Sequence, residues 1–268
     1  MKTAMTIEYD GAAYYGFQLQ KQQNSVQAEL EKALTIVLRR PTRVWCSGRT
    51  DTGVNALWQV VHFNGEYAQD IGALTYSLNS LIPRDIAIRH AAPVPEDFHA
   101  RFSCLSREYV YMIYSAPNRP GVLGYKALWL RDKLRWDLVR EAIPHLLGEN
   151  DFAAFTKVAL VKRGEPTRRR IDDIQVIEDG SYAYVHIRGS GFLHNMIRIL
   201  VGTLLDVARG EIPPEKVSEI ITSADRLEAG VTLKPYGLYF LHAEYKDYDQ
   251  SLAQHGIRKM LLAQRDKR

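Results

Sequence analysis

The stretch Asn24-Ser25-Val26-Gln27-Ala28-Glu29-Leu30-Glu31-Lys32-Ala33-Leu34-Thr35-Ile36-Val37 places Val26, Leu30, Ala33, Leu34 and Val37 on one face at helical spacing. Asn24 supplies an N-cap and Pro41 a stop. Upstream, Met5, Ile7 and Tyr9 alternate as in a strand that Gly11 ends. Downstream, short strands are expected around residues 43–46 and 59–64. Asp70 then caps a second amphipathic helix carrying Ile71, Leu74 and Leu78, Pro83 closes it, and Ile86 and Ile88 begin another strand. The order is β-α-β-β-α-β.

The second half repeats that order. Tyr109, Tyr111 and Ile113 alternate in a strand. Leu138, Val139, Ala142, Ile143, Leu146 and Leu147 form a helical stripe ending at Gly148, with Pro144 expected to kink it. Strands follow at 171–178 and 182–188, joined across Asp179-Gly180. Residues 192–209 read as a long apolar helix with Gly210 at its C-cap. Pro213-Pro214 opens a short extra helix, and residues 238–245 supply the last strand. Two such units predict an α+β protein of two split-βαβ, ferredoxin-like halves with mainly antiparallel sheets. The boundary falls near residues 100–107, giving subdomains 1–103 and 104–247 and a tail, 248–268.

The 268 residues are 46% apolar and 25% charged, which excludes disordered, collagen-like and coiled-coil classes. The apolar run at 199–205 is far too short to span a membrane, and Glu8 and Asp10 leave no room for a signal-peptide core. The chain therefore reads as cytoplasmic. Cys46 and Cys104 match no disulfide framework or zinc spacing, and no His/Cys pattern suggests a metal. No glycine-rich nucleotide-binding loop supports a cofactor. The net charge is only +4, but residues 162–170 carry five bases against one acid, and so do residues 251–268. With 15 tyrosines and four tryptophans, this distribution permits a polyanionic partner.

The densest polar segment is Cys46-Ser47-Gly48-Arg49-Thr50-Asp51-Thr52-Gly53-Val54-Asn55, set between two expected strands. A carboxylate there, two residues from Arg49, is placed to be held ionised and to act as nucleophile or general base. The structural alternative is a turn aspartate that caps backbone amides. Asp-Thr-Gly also occurs in aspartyl-phosphate enzymes, but those need a doubly wound sheet and an acidic magnesium site, and neither is legible here. Tyr109 and Tyr111 share a strand face that suits either core packing or base stacking. Arg198 lies beside the buried stripe of its helix, which is costly unless it meets a carboxylate or lines a cleft.

Together these motifs resemble those of the TruA-type tRNA pseudouridine synthases. The segment Ser47-Gly48-Arg49-Thr50-Asp51-Thr52-Gly53-Val54-Asn55-Ala56 is similar to that family's catalytic segment. So are Ile7-Glu8-Tyr9-Asp10-Gly11, Tyr15-Gly16-Phe17-Gln18, Asp97-Phe98-His99-Ala100-Arg101-Phe102-Ser103 and Arg107-x-Tyr109-x-Tyr111 to the corresponding family segments. Leu147-Gly148-Glu149-Asn150-Asp151-Phe152, Phe192-Leu193-His194-Asn195-Met196-Ile197-Arg198 and Gly237-Leu238-Tyr239 continue the match in the family's order. The resemblance covers residues 7 to about 245. It implies isomerisation of uridine to pseudouridine at positions 38–40 of the tRNA anticodon stem-loop, without cofactor or metal. It further implies a homodimer, and a basic, RNA-facing active-site cleft between the two halves.

By this resemblance Asp51 is the catalytic aspartate, Tyr109 stacks on the target base, and Arg198 pairs with Asp51. Leu238 forms an apolar floor beneath the uracil, and Arg49 helps displace the base from its stack. The sequence departs from the family at Asn55 and Asn195, where histidines are frequent, and at Trp58, where a small residue is usual. Two other readings are an RNA-binding protein of this fold without catalysis and a pseudouridine synthase acting on another RNA. Retention of Asp51, Tyr109, Arg198 and Leu238 together favours the enzyme over the silent binder.

Overall fold

The computed structural model describes residues 1–65, 67 and 70–249. The expected basic tail lies, from residue 250 onward, outside the described residues. The chain is α+β and divides into two compact units, one of Met1–Arg107 with the segment from Tyr239, the other Glu108–Leu238. No helix among the described residues is long and apolar enough to cross a membrane.

The first unit runs β1 (Lys2–Tyr9), α1 (Val26–Leu38), β2 (Val44–Cys46), β3 (Asn55–Asn64), α2 (Ile71–Leu81), β4 (Ile86–Val94), in the β-α-β-β-α-β order read from the sequence. The strands lie β4-β1-β3 with β2 on the far edge of β3, every pair antiparallel. That is the ferredoxin-like order, in which each helix crosses from one strand to another two places away. Central β3 is buried along almost its whole length, as a strand covered on both faces must be. Ser25, one residue after the expected cap, closes the start of α1, its hydroxyl accepting from the Ala28 amide. Asp70 caps α2 as expected, accepting from the Gly72 amide. Asn79 on α2 brackets the Ile88 backbone with two hydrogen bonds (2.8 and 2.9 Å) and ties the helix to β4.

The second unit holds β5 (Ser106–Ser115, from Glu108), β6 (Leu128–Leu130), α3 (Trp136–Ala142), β7 (Gly148–Asp151) and α4 (Val158–Lys162), then β8 (Arg168–Asp179), β9 (Tyr182–Gly189), α5 (Met196–Arg209) and α6 (Lys216–Ser223). Its strands lie β5-β9-β8-β7, with β6 parallel to β5. Strands β8 and β9 form the expected hairpin, with Gly180 at positive φ. Short β6 and β7 carry too few residues for a periodicity to show. Pro144 does more than kink its helix. It cannot supply an amide to the preceding turn, and residues 143–146 tighten into a 3-10 turn.

Two further differences concern the last helix and the last strand. Helix α5 begins at Met196 rather than at 192, because Asn195 takes a left-handed conformation (φ 62°) that helical backbone excludes. The final strand, β10 (Leu238–Glu244), is counted from Tyr239 with the first unit, where Tyr239 and Phe240 pair in parallel with Asn55 and Ala56 of β3. Gly210 caps α5 at φ 75°, as expected.

Helix α5 is crossed by the loop at 229–233 in direct backbone contact. A Cβ on Gly202 would overlap the Val231 carbonyl, and the Gly230 amide donates to Thr203 Oγ1 at 2.9 Å. Gly202→Ala is expected to lower stability by about 1–3 kcal/mol, because the obstruction is backbone and cannot rotate away. A fall in the urea midpoint at unchanged slope checks it.

A second prediction concerns His62 on β3. Burial, with His99 and Lys2 nearby, lowers its imidazole to about 4. Its Nδ1 accepts from the Ala100 amide at 3.2 Å, which requires that nitrogen to be unprotonated. Between pH 4 and 6.5 the unfolded chain binds a proton here that the folded chain does not, so stability rises with pH through that window. Denaturation midpoints across it should show the rise, and His62→Phe should flatten it.

Candidate active site

Asp51 sits half-buried on the loop between β2 and β3, and the first unit fixes that loop largely through backbone. The Val54 amide donates to the Asp51 carbonyl (3.1 Å), closing the turn around the carboxylate. The Gly53 amide donates to the Tyr14 carbonyl and the Phe17 amide to the Thr50 carbonyl. These approaches need glycine. A Cβ on Gly16, at φ 91°, would stand 2.7 Å from the Thr50 carbonyl oxygen, and one on Gly11 would overlap the Val54 carbonyl. The Asp10-Gly11 and Tyr15-Gly16 motifs are thus the seat of the Asp51 loop.

Buried polar side chains hold the same loop from below. The Tyr9 hydroxyl is 2.7 Å from Thr50 Oγ1. Burial pushes the Tyr9 phenol above its usual range, so it stays protonated. Gln59, fully buried, accepts from the Ser47 hydroxyl and donates to the Gly48 carbonyl at 2.6 Å. Asn55 Oδ1 accepts from the Gly11 amide at 3.0 Å. The Arg107 guanidinium donates to the Ser47 carbonyl (2.9 Å) and to the Arg101 carbonyl (2.6 Å). Cys46 adjoins the loop, but burial pushes its thiol up to about 12, so it supplies no thiolate at neutral pH. The loop's two charged side chains are Asp51, half-buried, and Arg49, exposed.

In the second unit Tyr109 on β5 is buried, and its ring meets Phe192 edge-on at 5.2 Å. Phe192 opens the turn that leads to Asn195, and Asn195 Oδ1 accepts from Arg198 Nη1 at 2.9 Å. Arg198 Nε donates to the Leu233 carbonyl at 2.7 Å. The next carbonyl, of Lys234, accepts from the Tyr111 hydroxyl at 2.6 Å. Residues 235–237 then turn into Leu238, which is buried. In the second unit, then, Tyr109 adjoins the turn at 192–195, Arg198 is held by that turn and by the loop at 233–238, and Leu238 ends that loop. Asp51 and Arg49 share the loop of the first unit.

Tyr9, Thr50 and Arg107 lie inside motifs read from the sequence, but their task of holding the loop shows only in the structure, and Gln59 lies outside every motif. Asn55 and Asn195, departures from the family pattern, prove to be anchors of Gly11 and of Arg198. The basic segment 162–170 spans the end of α4 and the start of β8, where Arg168 pairs with Glu149 and Arg170 with Asp172.

Comparison with known proteins places the chain in a family. The family model described as tRNA pseudouridine synthase matches residues 5–103 and 142–246, which include the loop supports Tyr9, Thr50, Asn55 and Gln59 but not Arg107. A protein of Aliivibrio fischeri strain MJ11 named tRNA pseudouridine synthase A is 42% identical over 245 residues, covering 91% of this chain and 93% of its own. Proteins of the same name from Shewanella woodyi (42% over 250 residues, 93% and 95% covered) and Tolumonas auensis (43% over 245 residues, 91% and 93% covered) match as fully. With most of its length inside the family model, and with Asp51, Arg198 and Leu238 within the matched segments, the chain belongs to the tRNA pseudouridine synthase family.

Proposed function

We propose that this protein isomerises uridine to pseudouridine in tRNA, at positions 38–40 of the anticodon stem-loop, with Asp51 as the catalytic residue. The observation that carries this reading is a half-buried carboxylate on a loop locked by backbone contacts, within the segment that resembles the family's catalytic one. Relatives named tRNA pseudouridine synthase A, matched over nine-tenths of the chain, support tRNA as the substrate.

The chemistry balances within the substrate. The bond from ribose C1′ to uracil N1 breaks, the base turns, and a bond from C1′ to C5 forms. The C5 hydrogen leaves as a proton and N1 gains one, so nothing is oxidised and no group is transferred. A carboxylate suffices for such a reaction as nucleophile or base, and the reading uses no cofactor or metal. Following the resemblance, Tyr109 stacks on the uracil, Leu238 floors the base, Arg49 helps displace the base from its stack, and Arg198 is the cation assigned to Asp51. The target must first leave its stack, at a cost of a few kcal/mol. Contacts of phosphates with exposed bases such as Lys157, Lys162 and Arg163 offset that cost. Following the resemblance, we also read the enzyme as a cytoplasmic homodimer.

An unmodified tRNA transcript tritiated at uracil C5 tests the reading, since isomerisation expels that label into water. Wild type is expected to release it, and Asp51→Ala to release none while binding tRNA with little loss. Release by Asp51→Ala at the wild-type rate would remove Asp51 from the chemistry, and no release by either would favour a silent binder or another RNA. Gln59→Leu keeps the volume but removes the bonds to Ser47 and Gly48. It is expected to lower kcat by roughly 10–100-fold with KM little changed, because small displacements of a catalytic group cost that much.

A further inference from the structure

Four aromatic rings run in contact through the first unit. Trp45 on β2 stacks on His62 of β3 (5.1 Å, 22°), His62 meets His99 at 4.8 Å, and His99 meets Phe102 at 4.5 Å. The row ends in water: Phe102 is 76% exposed. The Arg101 guanidinium lies 5.6 Å from the centre of that ring. Burial, with Lys2 and Arg101 nearby, holds the His99 imidazole below its usual range, so it backs Phe102 as a neutral ring.

The exposed ring is held rather than loose. The turn at 99–103 is closed by the Ser103 amide on the His99 carbonyl (2.8 Å), the His99 amide on Ser103 Oγ (2.9 Å) and the Arg101 amide on His99 Nδ1 (3.1 Å). Arg107 ties this turn to the Asp51 loop, since one guanidinium donates to the carbonyls of both Arg101 and Ser47. The local charge is positive. Glu96 is paired with the Met1 amino group, leaving Lys2 and Arg101 against Asp97.

We propose that Phe102 and Arg101 form a ledge on which an unpaired nucleotide of the bound tRNA stacks, adjacent to the Asp51 loop. The inference rests on the tRNA-modifying reading above and names where that RNA is gripped. Extruding the target uridine strips a neighbour of its stacking partner. An aromatic face backed by a rigid ring row replaces that partner without reading sequence, and the arginine adds cation–π and phosphate attraction. A ring already fixed by its turn loses little freedom on binding.

The test replaces Phe102 by Ala, Leu and Trp in the full chain. It measures tRNA affinity by filter binding, single-turnover tritium release, thermal unfolding and size. Ala and Leu are expected to weaken tRNA binding by about 10-fold, and Trp to retain it. The unfolding midpoint should not move, because the ring is exposed. Fluorescence of Phe102→Trp above the wild-type background should be quenched by tRNA. Wild-type affinity in the Ala or Leu variant would overturn the ledge, as would fluorescence of the Phe102→Trp variant that tRNA leaves unquenched. A change of oligomeric state in the Ala variant would overturn it too, by making this surface a contact between copies. Wild-type release, run alongside, separates the outcomes: the ledge fails alone if wild type stays active, and the functional reading fails if wild type releases nothing.

Discussion

The loop carrying Asp51 lies where it does because two segments of backbone touch without side chains between them. Gly11 and Gly16 bring the end of β1 and the turn after it against the carbonyls of Val54 and Thr50, at distances no Cβ tolerates. Everything else at this end of the molecule follows from that contact. Tyr9, Asn55 and Gln59 satisfy the polar groups the contact buries, and each bond they make also fixes an atom of the loop or its seat. A loop held this way keeps its side chains close to one position, and on the proposed reading that spares the Asp51 carboxylate rearrangement before it acts.

The second unit meets the same need by the same means. Gly202 and Gly230 let a loop cross α5 backbone to backbone, and that loop then presents the Leu233 carbonyl to Arg198. Asn195, in a left-handed turn, delays the start of the helix, and its amide oxygen accepts from the same guanidinium. A long flexible side chain is thereby fixed at two points, which reduces the entropy it must lose when it meets an anion. Both units thus use glycine for close approach and side-chain amides for orientation.

How much of this is legible in the sequence depends on the range of the interaction. The β-α-β-β-α-β order of the first unit is readable because long amphipathic helices and alternating strands carry a periodic signal, from Met5 and Ile7 through Leu30 and Leu34 to Ile88. The short strands at 128–130 and 148–151 carry none. The start of α5 at Met196 turns on a single residue's φ, which no apolar pattern encodes. The last strand, assigned with its sequence neighbours, pairs with β3 more than 180 residues away, a non-local pairing that local pattern does not show. The charged and aromatic site residues are visible by type and motif. Tyr9, Thr50 and Arg107 are visible by motif but not as supports, and Gln59 carries no signal, because a tyrosine or glutamine in a strand looks the same whether or not a loop rests on it.

On the proposed function, the position of the Asp51 carboxylate, set by the loop beneath it, is what makes this chain a catalyst. Asp51→Glu keeps the charge and the acid and moves the carboxylate by one methylene. Single-turnover tritium release at saturating enzyme, with tRNA affinity measured beside it, is therefore the most direct test. A rate lower by roughly 100-fold or more at nearly unchanged affinity is expected. A glutamate variant that turns over within a few-fold of wild type would contradict it.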